Sequence, residues 1–165
     1  MSDEKSGVSA GISNVARWFA GVGLLLMTLI IAWQVFARYV LNDSPAWAEQ
    51  AALLLMIWYV MFAAAAGVRE GFHIRIAVFA NAFSGRARKV INIFAHAVVG
   101  IFGLAMVAWG TELTVATWTH VIPTLGLPRG MAYIPLPLSG LLILGFAVER
   151  IVAEVRGREV SKVWN

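Results

Sequence analysis

The chain has 165 residues, of which 60% are apolar and only 13% are charged, and its mean hydropathy is +0.77. A soluble domain is nearer half apolar and a quarter charged, so this composition indicates a membrane protein. The sequence contains no cysteine, which excludes disulfides, thiolate chemistry and cysteine-based metal sites. The net charge of +4 is interpreted as basic segments held against anionic membrane lipids, and nucleic acid is not expected as a partner.

Four uncharged apolar runs follow one another along the chain, and charged residues bracket each of them. Each run holds roughly twenty residues, which at 1.5 Å per residue covers a hydrocarbon layer of about 30 Å. The sequence therefore predicts an all-α membrane protein with four transmembrane helices in a single domain over residues 1–165. The expected spans are about 17–38, 49–69, 89–112 and 130–150.

Three segments outside these spans carry their own predictions. The polar residues 1–14 are expected to form a flexible cytoplasmic tail. Residues 74–83 are mostly apolar but too short to span, and they predict a short cytoplasmic interfacial helix between the second and third spans. The segment after the third span contains Pro123 and Pro128 and is expected to be rich in turns, on the other side of the membrane.

The distribution of lysine and arginine predicts the orientation. Eleven of the thirteen basic residues lie before the first span, between the second and third, or after the fourth. Only Arg38 and Arg129 remain for the opposite side. Because cytoplasmic loops carry the excess of basic residues, both termini are expected in the cytoplasm.

The polar residues near the spans are interpreted as anchors of the helix ends and not as catalytic or transport groups. Glu49 begins the second span beside Trp47, where a carboxylate complements the helix dipole and is expected to reach Arg38 across the turn. A proton-coupled exporter would instead need an ionisable residue well inside a span. His96 is the only histidine within a span, whereas a haem anchor needs a facing pair, so His96 and Asn92 are expected to form interhelical hydrogen bonds.

No P-loop, dinucleotide-binding motif, metal-ligand cluster or catalytic triad is present in the sequence. No catalytic residue, cofactor or metal is therefore predicted, and the chain is not expected to be an enzyme.

Small residues mark faces where another helix could approach closely. Ala63, Gly67 and Gly71 recur every four residues, and Gly100 and Gly103 form a similar place in the third span. These faces are expected to support docking of a partner.

A set of motifs around the first turn and the second span is shared with a known family. It consists of Arg38-Tyr39-Val40, Asn42, Trp47-Ala48-Glu49, Trp58 and Arg69-Glu70-Gly71-Phe72-His73-Ile74-Arg75. These motifs resemble those of the small integral membrane subunit of tripartite ATP-independent periplasmic (TRAP) transporters. The sequence departs from the family pattern at Gln50, where a second acidic residue is usual, and at Ala77, where aspartate is common.

The resemblance implies a non-catalytic scaffold subunit of an ion-gradient-driven transporter that imports small organic acids such as carboxylates. The implied partners are a large transport subunit, which this chain would brace, a periplasmic substrate-binding protein that docks on the complex, and membrane lipids. The implied location is the bacterial inner membrane. The residues implied as the interface motif are Arg38, Trp47, Glu49, Trp58, Gly67, Arg69 and His73. A small self-sufficient exporter and a membrane anchor for a redox enzyme remain as alternatives.

Overall fold

A computed structural model describes the backbone of residues 3–70 and 86–156, and the side chains of residues 10–69 and 89–156. The predicted interfacial helix at residues 74–83 lies outside the described residues. His73 and Gly71 lie outside them as well.

Four long helices confirm the predicted all-α membrane fold. They are α1 (Asp3–Tyr39), α2 (Ala46–Glu70), α3 (Arg86–Ala116) and α4 (Pro135–Arg156). Each contains an apolar segment long enough to cross a membrane, at Ala10–Tyr39, Ala46–Arg69, Lys89–Ala116 and Arg129–Arg156. These segments include the four spans predicted from the charge brackets.

The described part of the predicted N-terminal tail belongs to α1. The helix begins at Asp3, so residues 3–14 form the first turns of the helix that continues into the first span. Similarly, α3 continues four residues past Glu112, and α4 continues six residues past Arg150. Polar residues at the ends of the apolar runs therefore do not end these helices.

The turn between α1 and α2 follows from its sequence. Asn42 has a φ of 54°, a left-handed conformation that asparagine tolerates better than most residues. The backbone nitrogen of Asp43 donates to the oxygen of Ala37 at 3.1 Å, which closes the end of α1. Pro45 then precedes the first residue of α2, and its oxygen accepts from the nitrogen of Ala48 at 3.1 Å.

The segment between α3 and α4 is a small hairpin followed by a single helical turn. Strands β1 (Val121–Ile122) and β2 (Leu127–Pro128) pair antiparallel, and Gly126 takes the left-handed conformation with a φ of 66°. A 3-10 helix at Arg129–Ala132 leads into α4. The predicted turn-rich segment is thus an ordered hairpin that returns the chain to the membrane.

The helices pack in the order α1, α2, α4, α3. Extensive contacts join α1 to α2, α2 to α4, and α4 to α3. The span of α4 is the most buried and that of α1 the least, as expected for inner and outer positions in this row. The core between α2 and α4 contains Ala65, Val68, Ile143 and Phe146, with Val99, Met106 and Leu142 packed against it.

Candidate interface sites

The described side chains form no metal site. Among them, no three histidine, aspartate or glutamate residues lie close enough together to hold an ion. Several polar contacts join one helix to another, and these are described below as joints between helices.

The first joint connects the middle of α2 to the turn before α4. The indole nitrogen of Trp58 donates to the backbone oxygen of Met131 at 3.1 Å. Met131 belongs to the 3-10 helix, whose carbonyl groups are not all used by the helix itself. An indole has one donor and a large apolar surface, so it can satisfy such a carbonyl inside an apolar environment.

Aromatic rings join α1 to α2 beside this contact. Phe19 and Phe62 meet edge to face with ring centroids 5.0 Å apart, and Trp58 lies 6.2 Å from Phe19 and 6.4 Å from Phe62. One turn further along α1, a Cβ on Gly23 would lie 2.7 Å from the Cβ of Tyr59. Gly23 therefore allows the two helices to approach at this crossing.

The second joint connects the last turn of α2 to the later part of α4. The guanidinium group of Arg150 donates to the backbone oxygen of Arg69 in the last turn of α2. The last carbonyls of a helix have no partner within it, and a cation there also complements the helix dipole. Arg69 itself is only 1% exposed, so this end of α2 is enclosed by protein.

The third joint connects the start of α3 to the end of α4. The ammonium group of Lys89 donates to the oxygen of Val155 at 3.0 Å, and the amide of Asn92 donates to a carboxylate oxygen of Glu154 at 3.2 Å. His96 instead donates from Nδ1 to the oxygen of Asn92, 2.6 Å away in the same helix. The predicted interhelical hydrogen bond is confirmed for Asn92 and wrong for His96.

Two of the glycines predicted for docking are used inside the chain. A Cβ on Gly103 would lie 3.0 Å from the oxygen of Gly140, and one on Gly140 would lie 2.7 Å from the oxygen of Gly103. Gly100 lies beside Ala147 in the same interface. This face of α3 is therefore covered by α4, whereas Ala63 is exposed and Gly67 half-buried on α2.

The residues at the first turn lie apart from these joints. Arg38, Trp47 and Glu49 are exposed at the facing ends of α1 and α2. The predicted Arg38–Glu49 ion pair is absent, because neither side chain forms a hydrogen bond or ion pair with any residue that the structure describes. Of the predicted interface residues, Trp58 contacts the turn before α4 and Arg69 contacts α4 itself, whereas the first-turn residues are exposed.

Sequence reasoning missed three partners in these joints, namely Met131, Arg150 and Gly140. Arg150 could have been identified, because a basic residue at the end of one span can donate to the backbone carbonyls in the last turn of another span. Gly140 could also have been identified, because a small residue within an apolar run allows another helix to approach closely. A backbone carbonyl such as that of Met131 carries no signal in a sequence.

These features define a multi-pass helical membrane protein in which several polar side chains join one helix to another. Residues 27–157 match the family described as "Tripartite ATP-independent periplasmic transporters, DctQ component". The chain belongs to this family. It is accordingly a TRAP transporter subunit and a multi-pass inner-membrane protein, and it is not an enzyme.

Two curated relatives from Vibrio cholerae illustrate the similarity. The chain is 21% identical over 140 residues to the sialic acid TRAP transporter small permease protein SiaQ, covering 85% of this chain and 81% of the relative. It is 28% identical over 153 residues to the C4-dicarboxylate TRAP transporter small permease protein DctQ, covering 78% of this chain and 66% of the relative.

Proposed function

We propose that this chain is the scaffold subunit of a secondary transporter for small organic acids, and that it braces a larger membrane subunit that carries the substrate. The proposal combines the family membership with one structural observation: partly buried polar groups of the chain form joints between its helices. Arg150 bonds to the end of α2, Trp58 bonds to the turn before α4, and Asn92 bonds to Glu154. A moving carrier would need such contacts to break and reform during each transport cycle.

The packing of the helices supports the same role. The row of four helices gives α1 and α3 broad outward faces, which include Trp18, Leu25, Ile101 and Trp109, each more than half exposed. Surfaces of this kind suit contact with lipid or with the helices of another subunit. A rigid row with two apolar sides can enlarge the fixed part of a partner in the membrane.

The two relatives named above are described as serving sialic acid and C4-dicarboxylates, and both of these are carboxylates. We infer that the transporter of this chain imports an organic acid anion, driven by an ion gradient and delivered by a periplasmic binding protein. Both termini are proposed to lie in the cytoplasm, in line with the basic residues there.

Co-purification tests the scaffold role. The chain, with a C-terminal affinity tag, is expressed together with the large subunit and extracted in a mild detergent. The large subunit should be recovered in equal amount with the tagged chain. Recovery of the tagged chain alone, from membranes that contain both proteins, would contradict the proposal.

A further inference from the structure

Glu112 is a charged residue on the face of α3 that points away from the rest of the chain. Successive residues of a helix are about 100° apart, so Glu112 lies about 200° from Gly110 and about 180° from Gly103. Gly103 and Gly110 both lie against α4, where an added Cβ would approach Gly140, Leu136 or Pro137 within 3.0 Å. The exposed side chain of Glu112 therefore projects from the side of α3 opposite α4.

The surroundings of Glu112 on this face are apolar. Trp109 and Val115, about one turn before and after it, are 68% and 69% exposed. Ile101 and Leu104, further along the face towards the cytoplasm, are 69% and 57% exposed. Glu112 is the only charged residue of α3 after Lys89.

The contacts between helices indicate how deep Glu112 lies in the membrane. Gly110 lies beside Pro137, so Glu112 is level with the very start of α4. The 3-10 turn just before α4 is in turn level with the indole of Trp58, through the bond to Met131. Trp58 is the central residue of the α2 span, nine residues from Glu49.

With the level of Glu49 taken as the membrane surface, this alignment places Glu112 inside the hydrocarbon layer. The stretch of α2 between Glu49 and Trp58 is apolar, and its Leu53 and Met56 are 50% and 47% exposed, as expected for residues facing lipid. Allowing for the length of the indole, Glu112 lies about 10 Å inward from the level of Glu49 at 1.5 Å per residue. In the sequence, Glu112 ends the third uncharged run, and it was therefore expected at the membrane surface.

The threonines around Glu112 are consistent with this depth. The hydroxyl groups of Thr111, Thr114 and Thr117 each donate to the carbonyl four residues earlier in α3, at 2.7 Å. A threonine bonded in this way needs no water and is tolerated in a membrane helix. The carboxylate of Glu112, by contrast, forms no hydrogen bond or ion pair with any residue that the structure describes.

We propose that Glu112 forms an ion pair with a lysine or arginine on a membrane-spanning helix of the large subunit, so that the outer face of α3 is a docking surface for that subunit. This inference rests on the proposed function. A carboxylate within hydrocarbon requires a compensating charge or hydrogen-bond donors, and the described residues of this chain supply no positive charge on that side of α3. Because Glu112 points outward and not between helices of its own chain, it is placed to join two subunits and not to line a path through one.

The depth is tested by cysteine labelling in the chain expressed alone, where no partner can shield the site. Cysteine replaces Glu112 in one variant and Thr124, in the hairpin, in a control variant. A membrane-impermeant maleimide should label Thr124→Cys and leave Glu112→Cys at least tenfold less reactive. Equal labelling of the two positions would place Glu112 at the membrane surface and overturn the proposal.

The partner is tested in the full complex. Glu112→Gln removes the charge but keeps the shape, and Asp43→Asn is the control, because Asp43 is an exposed carboxylate in the first turn and lies outside the implied interface motif. Recovery of the large subunit with Glu112→Gln should fall about tenfold or more, since a desolvated ion pair loses one member, while Asp43→Asn should match the unchanged chain. Unchanged recovery with Glu112→Gln would overturn the inference, whereas failure of the unchanged chain to recover the large subunit would overturn the proposed function instead.

Crosslinking identifies the occupant of the face. A photoreactive benzoylphenylalanine in place of Trp109 should crosslink to the large subunit in membranes. A crosslink to a second copy of this chain, or to lipid alone, would show that the large subunit does not cover this face.

Discussion

The indole nitrogen of Trp58 lies 3.1 Å from the backbone oxygen of Met131, and this bond ties the centre of α2 to the turn that starts α4. It spans 73 residues of sequence, and it lies at the opposite end of the α2–α4 interface from the contact between Arg150 and Arg69. The two halves of the chain, α1–α2 and α3–α4, are therefore joined at two levels of the interface between α2 and α4.

Loss of the indole donor should destabilise the protein. Trp58→Phe keeps most of the aromatic packing with Phe19 and Phe62 but leaves the Met131 carbonyl without its donor. We expect a loss of about 0.5–1.5 kcal/mol, measured as a lower melting temperature of the purified protein in detergent. Trp109→Phe is the control, because Trp109 is 68% exposed, and an equal loss there would indicate a general effect of removing an indole.

The close approach of α3 and α4 should not tolerate a methyl group. Gly140→Ala would place a Cβ 2.7 Å from the oxygen of Gly103, so one of the two backbones would have to move. We expect lower thermal stability and a loss of folded protein on size-exclusion chromatography. Gly145→Ala on the same helix is the matched control, because nothing lies within 4 Å of its added Cβ. Since alanine favours helix over glycine, this control should be neutral or stabilising.

Arg150 should matter more than its neighbours in the basic end of α4. Arg150→Ala removes the donor to the last turn of α2, whereas Arg156→Ala alters an exposed residue of the same helix. We expect the first variant to melt at a lower temperature and the second to resemble the unchanged protein. If both variants lose stability equally, the effect comes from the net charge of the helix end and not from the bond to Arg69.

A test at the first turn can distinguish the ion pair expected from the sequence from the unpaired arrangement seen in the structure. Arg38 and Glu49 are both exposed and are not bonded to each other. The effects of Arg38→Ala and Glu49→Ala on the melting temperature of the isolated chain should therefore add in the double variant. A double variant that loses clearly less than the sum would restore the predicted ion pair.

Orientation can be read directly because the chain has no native cysteine. Cysteines at Ser44 and Thr124 should react with an impermeant thiol reagent added outside intact spheroplasts. Cysteines at Ser84 and Ser161 should react only after the membrane is opened. Labelling of Ser84→Cys in sealed spheroplasts would reverse the proposed topology.

Much of the fold could be predicted because the length of an apolar run can be read directly from a continuous stretch of sequence. Each span needs about twenty apolar residues, and charged residues such as Lys89 and Glu112 bracket them in the sequence. The order in which the helices pack could not be predicted in this way. It depends on where small residues such as Gly103 and Gly140 meet, and several glycines in the sequence could have served equally well.

The contacts between helices were also only partly predictable from the sequence. Trp58 and Arg69 could be singled out by their family motifs, but the groups they contact could not. Their contacts involve backbone carbonyls, which every residue possesses, and only the fold determines which of them is left without a donor. We propose that Glu112 lies deeper than the end of its uncharged run implies, because a helix need not leave the membrane at its first charged residue.

Reconstituted transport tests the scaffold role most directly. The purified chain is placed in liposomes with an imposed sodium or proton gradient, alone or together with the large subunit, and the binding protein is supplied outside with radiolabelled C4-dicarboxylate or sialic acid. The account predicts uptake of one such organic acid when both membrane subunits are present and no uptake above empty liposomes with this chain alone. Sustained, gradient-dependent uptake by the single chain would contradict it.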